Sequence, residues 1–437
     1  MNGDPPDSIT TMASFSGPGS LVELAAKDRF GDRIHLWLAC GTLATLPLNG
    51  QITGVLMIGL VIWGLVRTVC WRSHLPTGPR VVMIPALVWV GYLLLSLLWS
   101  PDLRTGWHQV WAQTWLALPP LLWPLMNRWR LLLLSVLVGT LVQSTFHASV
   151  VILDGFRADG WGFAGFDSHP RRNAVWYAAV SVGLIAAYLG RIVTRPWWLL
   201  GLIPTLAACL LSESRGGVLA ILLGTGIVIV LLAIRRALTR RSVVIISTIT
   251  LVAGGTILVS QNETIREVRR SMSTAMDAVT EGKVEDIRIA WWRSCVRQWE
   301  TRPILGFGIG GTQEALAGDL QLQDETRQSP QLKKFAIFNQ PHSVYFQTLL
   351  EGGIVGVMLL GWLLGTIGRT AYRTSSRHPI GTLAMGSLAV WMVTALFDQW
   401  HAQGQVLGLL WFTATLAAFD PNWLDADSET KSAEAEY

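Results

Sequence analysis

Charge is what this sequence has least of. Of its 437 residues 14% are Asp, Glu, Lys or Arg, against 51% hydrophobic, and the mean hydropathy is +0.41. A soluble chain covers its surface with roughly a quarter charged residues. The composition therefore excludes the two or three soluble domains that length alone would permit. Lysine is confined to Lys27, Lys283, Lys333, Lys334 and Lys431, so arginine carries the formal net charge of +5. Most arginines punctuate apolar segments and form no patch, which argues against nucleic-acid binding. Cysteine is scarce as well. Cys40, Cys70, Cys209 and Cys295 lie far apart, with neither metal-ligand spacing nor a disulfide framework. No metal or cofactor is expected. The polar start, MNGDPPDSITTMASFSGPGS, has no basic stretch leading into an apolar core, so it does not read as a cleavable signal peptide.

What the chain has in abundance is long apolar runs. Twelve are expected, at 33–48, 51–71, 81–99, 107–126, 130–152, 173–190, 196–211, 216–234, 243–260, 342–368, 380–397 and 403–419. Runs near 18 residues with almost no charge are membrane-spanning candidates. The fold expected is an all-α polytopic transmembrane bundle of about twelve helices. Alternate connections carry Arg72 and Arg80; Arg128 and Arg130; Arg191 and Arg195; Arg235, Arg236, Arg240 and Arg241; Arg369, Arg373 and Arg377. The opposite set is poorer in arginine, so the first set is placed in the cytoplasm with both termini. The expected organisation is a disordered cytoplasmic tail at 1–32, nine helices over 33–260, and a long outer loop at 261–341. Three more helices follow over 342–419, then an acidic disordered tail at 420–437.

The long loop is patterned. Ile265, Val268, Met272, Met276 and Val279 recur at helical spacing, as do Ile289, Trp292, Val296 and Trp299. Two amphipathic helices lying on the outer membrane boundary fit this pattern; so does a small soluble cap of helices packed on one another. Gly306, Gly308 and Gly311 match GxGxxG, but no strand precedes them and no βαβ unit follows. After Pro303 they read as a tight turn. Asp425 and Asp427 form a DxD in the cytoplasmic tail, and Asn262-Glu263-Thr264 a glycosylation sequon; neither carries weight where it stands.

Four places draw chemistry. Arg215, in SESRGG, sits between two apolar runs. Arginine in apolar surroundings costs about 2.5–3.5 kcal/mol on insertion scales. The position suits phosphate binding, against the alternatives of snorkelling to lipid phosphates or pairing with Glu213. Arg288 and Arg293 offer guanidinium forks for a diphosphate, against a solvated basic face on anionic headgroups, the reading preferred for Arg297. His342, after Pro341, is expected in the first turn of an apolar helix. A neutral imidazole there accepts a proton from a hydroxyl; the alternative is an interfacial histidine bonded to a loop carbonyl. His169, with Arg171, Arg172 and Asn173, is a lower-ranked site for the same anionic ligand.

Three motifs in order, SESRGG, RIAWWRSCVRQWETRPILGFGIGG and PHSVYFQTLLEGGIVG, resemble the O-antigen ligase and O-antigen polymerase superfamily of bacterial inner-membrane glycosyltransferases. The stretch they span, 212–356, is about a third of the chain, and the motifs do not separate ligase from polymerase. Ser343 stands where family members often carry asparagine. The resemblance implies a donor glycan on undecaprenyl diphosphate at the periplasmic face, Arg215 and Arg288 holding the diphosphate, and His342 as base on the acceptor hydroxyl. The acceptor implied is lipid A–core for a ligase or a second lipid-linked glycan for a polymerase. A transporter of the lipid-linked glycan is the remaining reading. Transporters place charged or broken helices at mid-membrane, whereas the informative residues here crowd at the outer face.

Overall fold

The computed structural model describes residues 28–70, 79–153, 170–212, 214–238, 244, 248, 287–328, 341–398 and 404–420. Among these residues there is no β-strand. In chain order the helices are α1 (Arg29–Thr45), α2 (Gly50–Cys70), α3 (Arg80–Ser96), α4 (Leu103–Ala112), α5 (Leu118–Leu122), α6 (Trp129–Leu153), α7 (Pro170–Leu189), α8 (Leu202–Leu211) and α9 (Arg215–Ile234). Then follow α10 (Ile287–Thr301), α11 (Thr312–Ala317), α12 (Leu320–Gln328), α13 (Val344–Arg377), α14 (Ile380–Phe397) and α15 (Gly404–Ala417). Among the described residues six stretches are long and apolar enough to cross a membrane: Gly50–Val69, Arg80–Trp99, Leu103–Val150, Gly216–Ile234, Val344–Arg377 and Ile380–Phe397. This is a multi-pass α-helical membrane protein.

Apolar length reads well onto helix, with instructive departures. The run at 107–126 is not one helix. It passes from α4 through a 3₁₀ turn at Gln113–Ala117 into α5, then through 3₁₀ geometry at Trp123–Arg128. Pro119, Pro120 and Pro124 cannot donate backbone hydrogen bonds, and their rings crowd the preceding turn, so a regular helix cannot run through them. At the start, α1 begins at Arg29, inside the stretch expected as a tail, because the Asp28 carboxylate caps it by accepting from Gly31 N at 2.8 Å. α13 begins at Val344 and runs to Arg377, past the apolar limit at 368. The run at 243–260 (apart from Val244 and Thr248), the stripe Ile265–Val279, the sequon, the DxD, Glu213, His169 and most of both tails lie outside the described residues.

α7, α9 and α14 pack together at the centre. Gly224 and Gly386 make this possible, since a Cβ on either would press on Val182 and on Val390 or Val228; small residues let membrane helices approach closely. α13 and α14 run antiparallel, which defines two ends. At the His378 end Trp129 lies edge-on to His378 at 5.4 Å, and Arg235 donates to the Tyr372 carbonyl at 2.9 Å. Nearby the buried Arg67 lies 3.2 Å from Asp28 and 3.7 Å from Asp32, and bonds His35 Nδ1 at 2.9 Å; Arg128 completes the group 2.8 Å from Asp32. These partners pin the α1–α2 hairpin to the segment before α6.

At the other end α10, α11 and α12 form a cap with its own core: Ala290, Trp291, Cys295, Leu316 and Leu322, closed by Leu350 of α13. The expected stripe of Ile289, Trp292, Val296 and Trp299 is not the face that enters this core; it stays half-buried or exposed. Ala290, Trp291, Ser294 and Cys295 are buried instead, one step round the helix. Three of these are small, so α10 approaches closely, and Ser294 hydrogen-bonds Asp319. Packing in a cap and presenting an apolar stripe outward are thus compatible, for they use different faces of α10.

Candidate functional site

His342 stands at the head of α13, gripped by two adjacent tryptophans of α10. The buried Trp291 stacks on its ring, with centroids 5.3 Å apart and planes at 26°. Trp292 donates Nε1–H to the Pro341 carbonyl at 2.8 Å and stacks on Phe346 at 5.0 Å. The histidine is not in the first helical turn, as its sequence position suggested. Ser343 is the N-cap, and His342 precedes it with φ +46°. A left-handed backbone is unusual for histidine and costs of order 1–3 kcal/mol; the two tryptophans hold the segment in it. The ring remains about a third exposed, and its Nδ1 lies 3.6 Å from Asp398 Oδ1. That is longer than a hydrogen bond and within ion-pair reach.

Asp398 ends α14 and was not singled out from sequence. Its signal was present: an acid directly following an eighteen-residue apolar helix. Ser343, where the family often has asparagine, is fully buried and its Oγ finds no hydrogen-bond partner. It lies under the site and does not line it.

The backbone brings the proposed anion-binding residues to the same end. Arg215 is the first residue of α9, and Ser214 Oγ caps that helix by accepting from Gly217 N at 3.1 Å. Gly216 packs directly on Phe397, the neighbour of Asp398, and Gly217 packs on Ala174 of α7. The first turn of α7, with Arg171, Arg172 and Asn173, therefore adjoins the first turn of α9, and Asn173 is buried. Two helix N-termini meet there, each with positive dipole character. Arg288 is partly exposed in the first turn of α10, one turn before Trp291 and Trp292; Arg293 is exposed. Arg297, expected on anionic headgroups, pairs with Asp319 at 2.7 Å. Burial alone would raise the Asp319 carboxyl, but hydrogen bonds from Ser294, Arg297 and Leu322 N outweigh it and hold it below the usual range. Burial pushes the neighbouring Cys295 thiol upward, which makes it unreactive.

The glycine segment after α10 is a turn, and it is threaded into a break in α13. Gly353 has φ +59°, ψ −159°, so α13 is two helices end to end. A continuous helix would bond Ile354 N to Leu350 O and Val355 N to Glu351 O. Both bonds are broken, and all four groups find partners in the segment 303–308. Phe307 N and Gly308 N donate to the Leu350 and Glu351 carbonyls, each at 2.9 Å; Ile354 N donates to Pro303 O at 2.9 Å and Val355 N to Ile304 O at 3.3 Å. Tyr92 of α3 donates to Gly352 O at 2.6 Å. Gly306, Gly308 and Gly310 have φ of +68°, +85° and +86°. A Cβ on Gly310 would stand 2.5 Å from Gly106 N, and one on Gly306 2.5 Å from Leu350 O.

Beneath this splice lies Glu351, buried and overlooked in the sequence. One of its oxygens accepts from Gly310 N at 3.1 Å, Thr312 Oγ1 at 2.7 Å and Gln347 Nε2 at 3.1 Å. Gln109 of α4 also hydrogen-bonds the carboxyl. A cavity of about 20 Å³ adjoins it, lined by Tyr92, Ser96, Gln109 and Ile309 among others.

A family described as O-antigen ligase matches residues 200–361. That stretch contains Arg215, Arg288, Arg293, the glycine segment, His342 and Glu351, and ends before Asp398. No curated protein matches the chain. With its three motifs gathered at one end of a helical membrane bundle, the segment 200–361 is similar to the O-antigen ligase family.

Proposed function

We propose that this protein is an O-antigen ligase of the bacterial inner membrane, moving a glycan from undecaprenyl diphosphate to a hydroxyl of lipid A–core at the periplasmic face. The observation that carries the reading is the placement of His342: 3.6 Å from Asp398, stacked on Trp291, which lies one α10 turn from Arg288, and on the end where α9 begins with Arg215. With Nδ1 turned to Asp398, Nε2 is the nitrogen that accepts a proton. In the proposed step the acceptor O–H bond breaks and its proton passes to His342. The oxygen attacks the anomeric carbon, the bond from that carbon to the diphosphate oxygen breaks, and undecaprenyl diphosphate leaves with the electron pair. A single displacement inverts the anomeric configuration. Charge grows on the leaving diphosphate, where the guanidinium groups of Arg215 and Arg288 stabilise it as a metal would. Arg293, Arg171, Arg172 and Asn173 are proposed to contact the donor further out. The orientation, with the His342 end outward, follows from the arginines of the His378 end.

The test is a deletion strain complemented with wild type or His342→Ala and examined by lipopolysaccharide gel. Bare core with long chains left on undecaprenyl supports a ligase; core carrying a single repeat points to a polymerase that joins lipid-linked units. The loss of a general base lowers the rate by about 10²–10⁴-fold, so His342→Ala should reproduce the deletion while the protein still accumulates in the membrane. Unchanged glycan in the deletion strain would refute both enzymes, and glycan trapped at the inner face would point to a transporter.

A further inference from the structure

We propose that Glu351 is a positioning residue for the reaction: its carboxyl locks the glycine segment to α13 and thereby sets α10, with Arg288 and Trp291, against His342. This rests on the transferase reading above. The argument begins with where the carboxyl sits. α13 carries Ser343, Gln347 and Glu351 at four-residue intervals, so all three lie on one helical face, running from the residue after His342 down to the break at Gly353. All three are buried, and Gln347 donates to Glu351.

Glu351 is where separate elements converge. Gly310 N comes from the segment that follows α10, Thr312 opens α11, Gln347 belongs to α13 itself, and Gln109 comes from α4. The backbone bonds of Phe307, Gly308, Ile354 and Val355 fasten the same two strands of chain above and below the carboxyl. α10 therefore has two attachments to α13. One is at its start, where Trp291 and Trp292 hold His342 and Pro341; the other is at its end, through the glycine splice and Glu351. With both fixed, α10 cannot pivot, and Arg288 keeps its station relative to His342. An acid in an apolar helix is costly and is retained for a task. Every bond described here is one that Glu351 accepts, so the task is holding donors.

This separates positioning from proton chemistry. Gln109 Oε1 and Gln347 Oε1 are buried and have no hydrogen-bond partner. In Glu351→Gln the amide oxygen still accepts from Gly310 N and Thr312, and its NH₂ donates to one of those free oxygens after an amide rotation. Glutamine therefore preserves the tie, and alanine removes it.

The experiment reads geometry and turnover together. Spin labels on unnatural amino acids at Glu300 of α10 and Met358 of α13, both exposed, report the spacing of the two helices by double electron–electron resonance. Transfer is followed in membranes with the host's own lipid-linked glycan. Wild type and Glu351→Gln should share one narrow distance distribution and kcat values within about threefold. Glu351→Ala should broaden the distribution and lower kcat about a hundredfold with KM within about twofold, the cost of a displacement near 1 Å at a reacting centre. Thr312→Val, which removes a single donor, keeps the test open if the alanine variant does not accumulate; about a tenfold loss in kcat is expected. Two results would overturn the proposal. One is Glu351→Gln as inactive as Glu351→Ala with a native distance distribution, which makes the carboxyl a proton carrier. The other is a native distribution in Glu351→Ala and Thr312→Val. The distance is read without turnover, so failure of the transferase reading leaves this arm to decide.

Discussion

His342 and Asp398 face each other where α13 begins and α14 ends, Nδ1 to Oδ1 at 3.6 Å, each about 30% exposed. In the proposed step, a carboxylate so placed would orient the imidazole and stabilise the imidazolium formed on taking the acceptor proton. The exposure of both groups limits the effect, because water screens the pair. Asp398→Asn should lower kcat by about ten- to a hundredfold and leave KM nearly unchanged. Wild-type kcat in purified Asp398→Asn protein would show that the pair has no part in the reaction.

Arg288 lies one turn from the tryptophans that hold His342, and Arg215 begins the helix beside Phe397. A planar fork binds a diphosphate through two parallel hydrogen bonds, and a lysine offers one point charge. Arg288→Lys and Arg215→Lys should each reduce transfer at least tenfold, the loss of about 1.4 kcal/mol or more of charge-assisted hydrogen bonding. Normal O-antigen attachment in both lysine strains would reduce these arginines to lipid anchors.

The glycines divide into two classes. Gly310 has φ +86°, and a Cβ there meets the Gly106 and Asp102 backbones at 2.5 and 2.7 Å. Gly310→Ala should destabilise the protein by at least about 1–3 kcal/mol through strain alone and lower the detergent melting temperature. Gly361, in α13, has nothing within 4 Å of a built Cβ. Gly361→Ala should be neutral, or stabilising by about 0.5–1 kcal/mol. Melting curves of the two variants decide it; equal melting temperatures would mean that the glycine splice does not brace the fold.

His378, between α13 and α14, has its pKa lowered from the ordinary value, first by burial and then by the charge of Arg130. The unfolded chain binds this proton more readily than the folded one, so stability falls as pH drops below about 6.5. The ring is half-exposed, so the effect is small. Wild type should lose on the order of 1 °C more than His378→Gln in melting temperature between pH 7.5 and 5.5. Parallel losses in the two proteins would exclude this histidine.

Much of the helix map was legible because apolar length is set by membrane thickness, and a run of uncharged residues has one stable answer there. α14 coincides with its expected span, 380–397, because Pro379 and Asp398 bracket an unbroken run. α4, α5 and the 3₁₀ turns beside them do not read as one helix, since their prolines act on the backbone and leave hydropathy unchanged. The buried face of α10 was misread for a related reason. Ala290, Ser294 and Cys295 are weakly hydrophobic, and their burial follows from close approach to α11 and α13.

Sequence alone determined that this chain is a helical membrane protein and ordered three motifs that resemble the O-antigen ligase superfamily. These are properties of local composition and spacing. Only the tertiary structure decided that Asp398 meets His342, that the glycine turn repairs a break in α13, and that Glu351 joins them. Each pairs residues between 40 and 60 positions apart, or across separate helices. Hydrogen bonding demands a partner for every buried backbone group without naming it in the sequence.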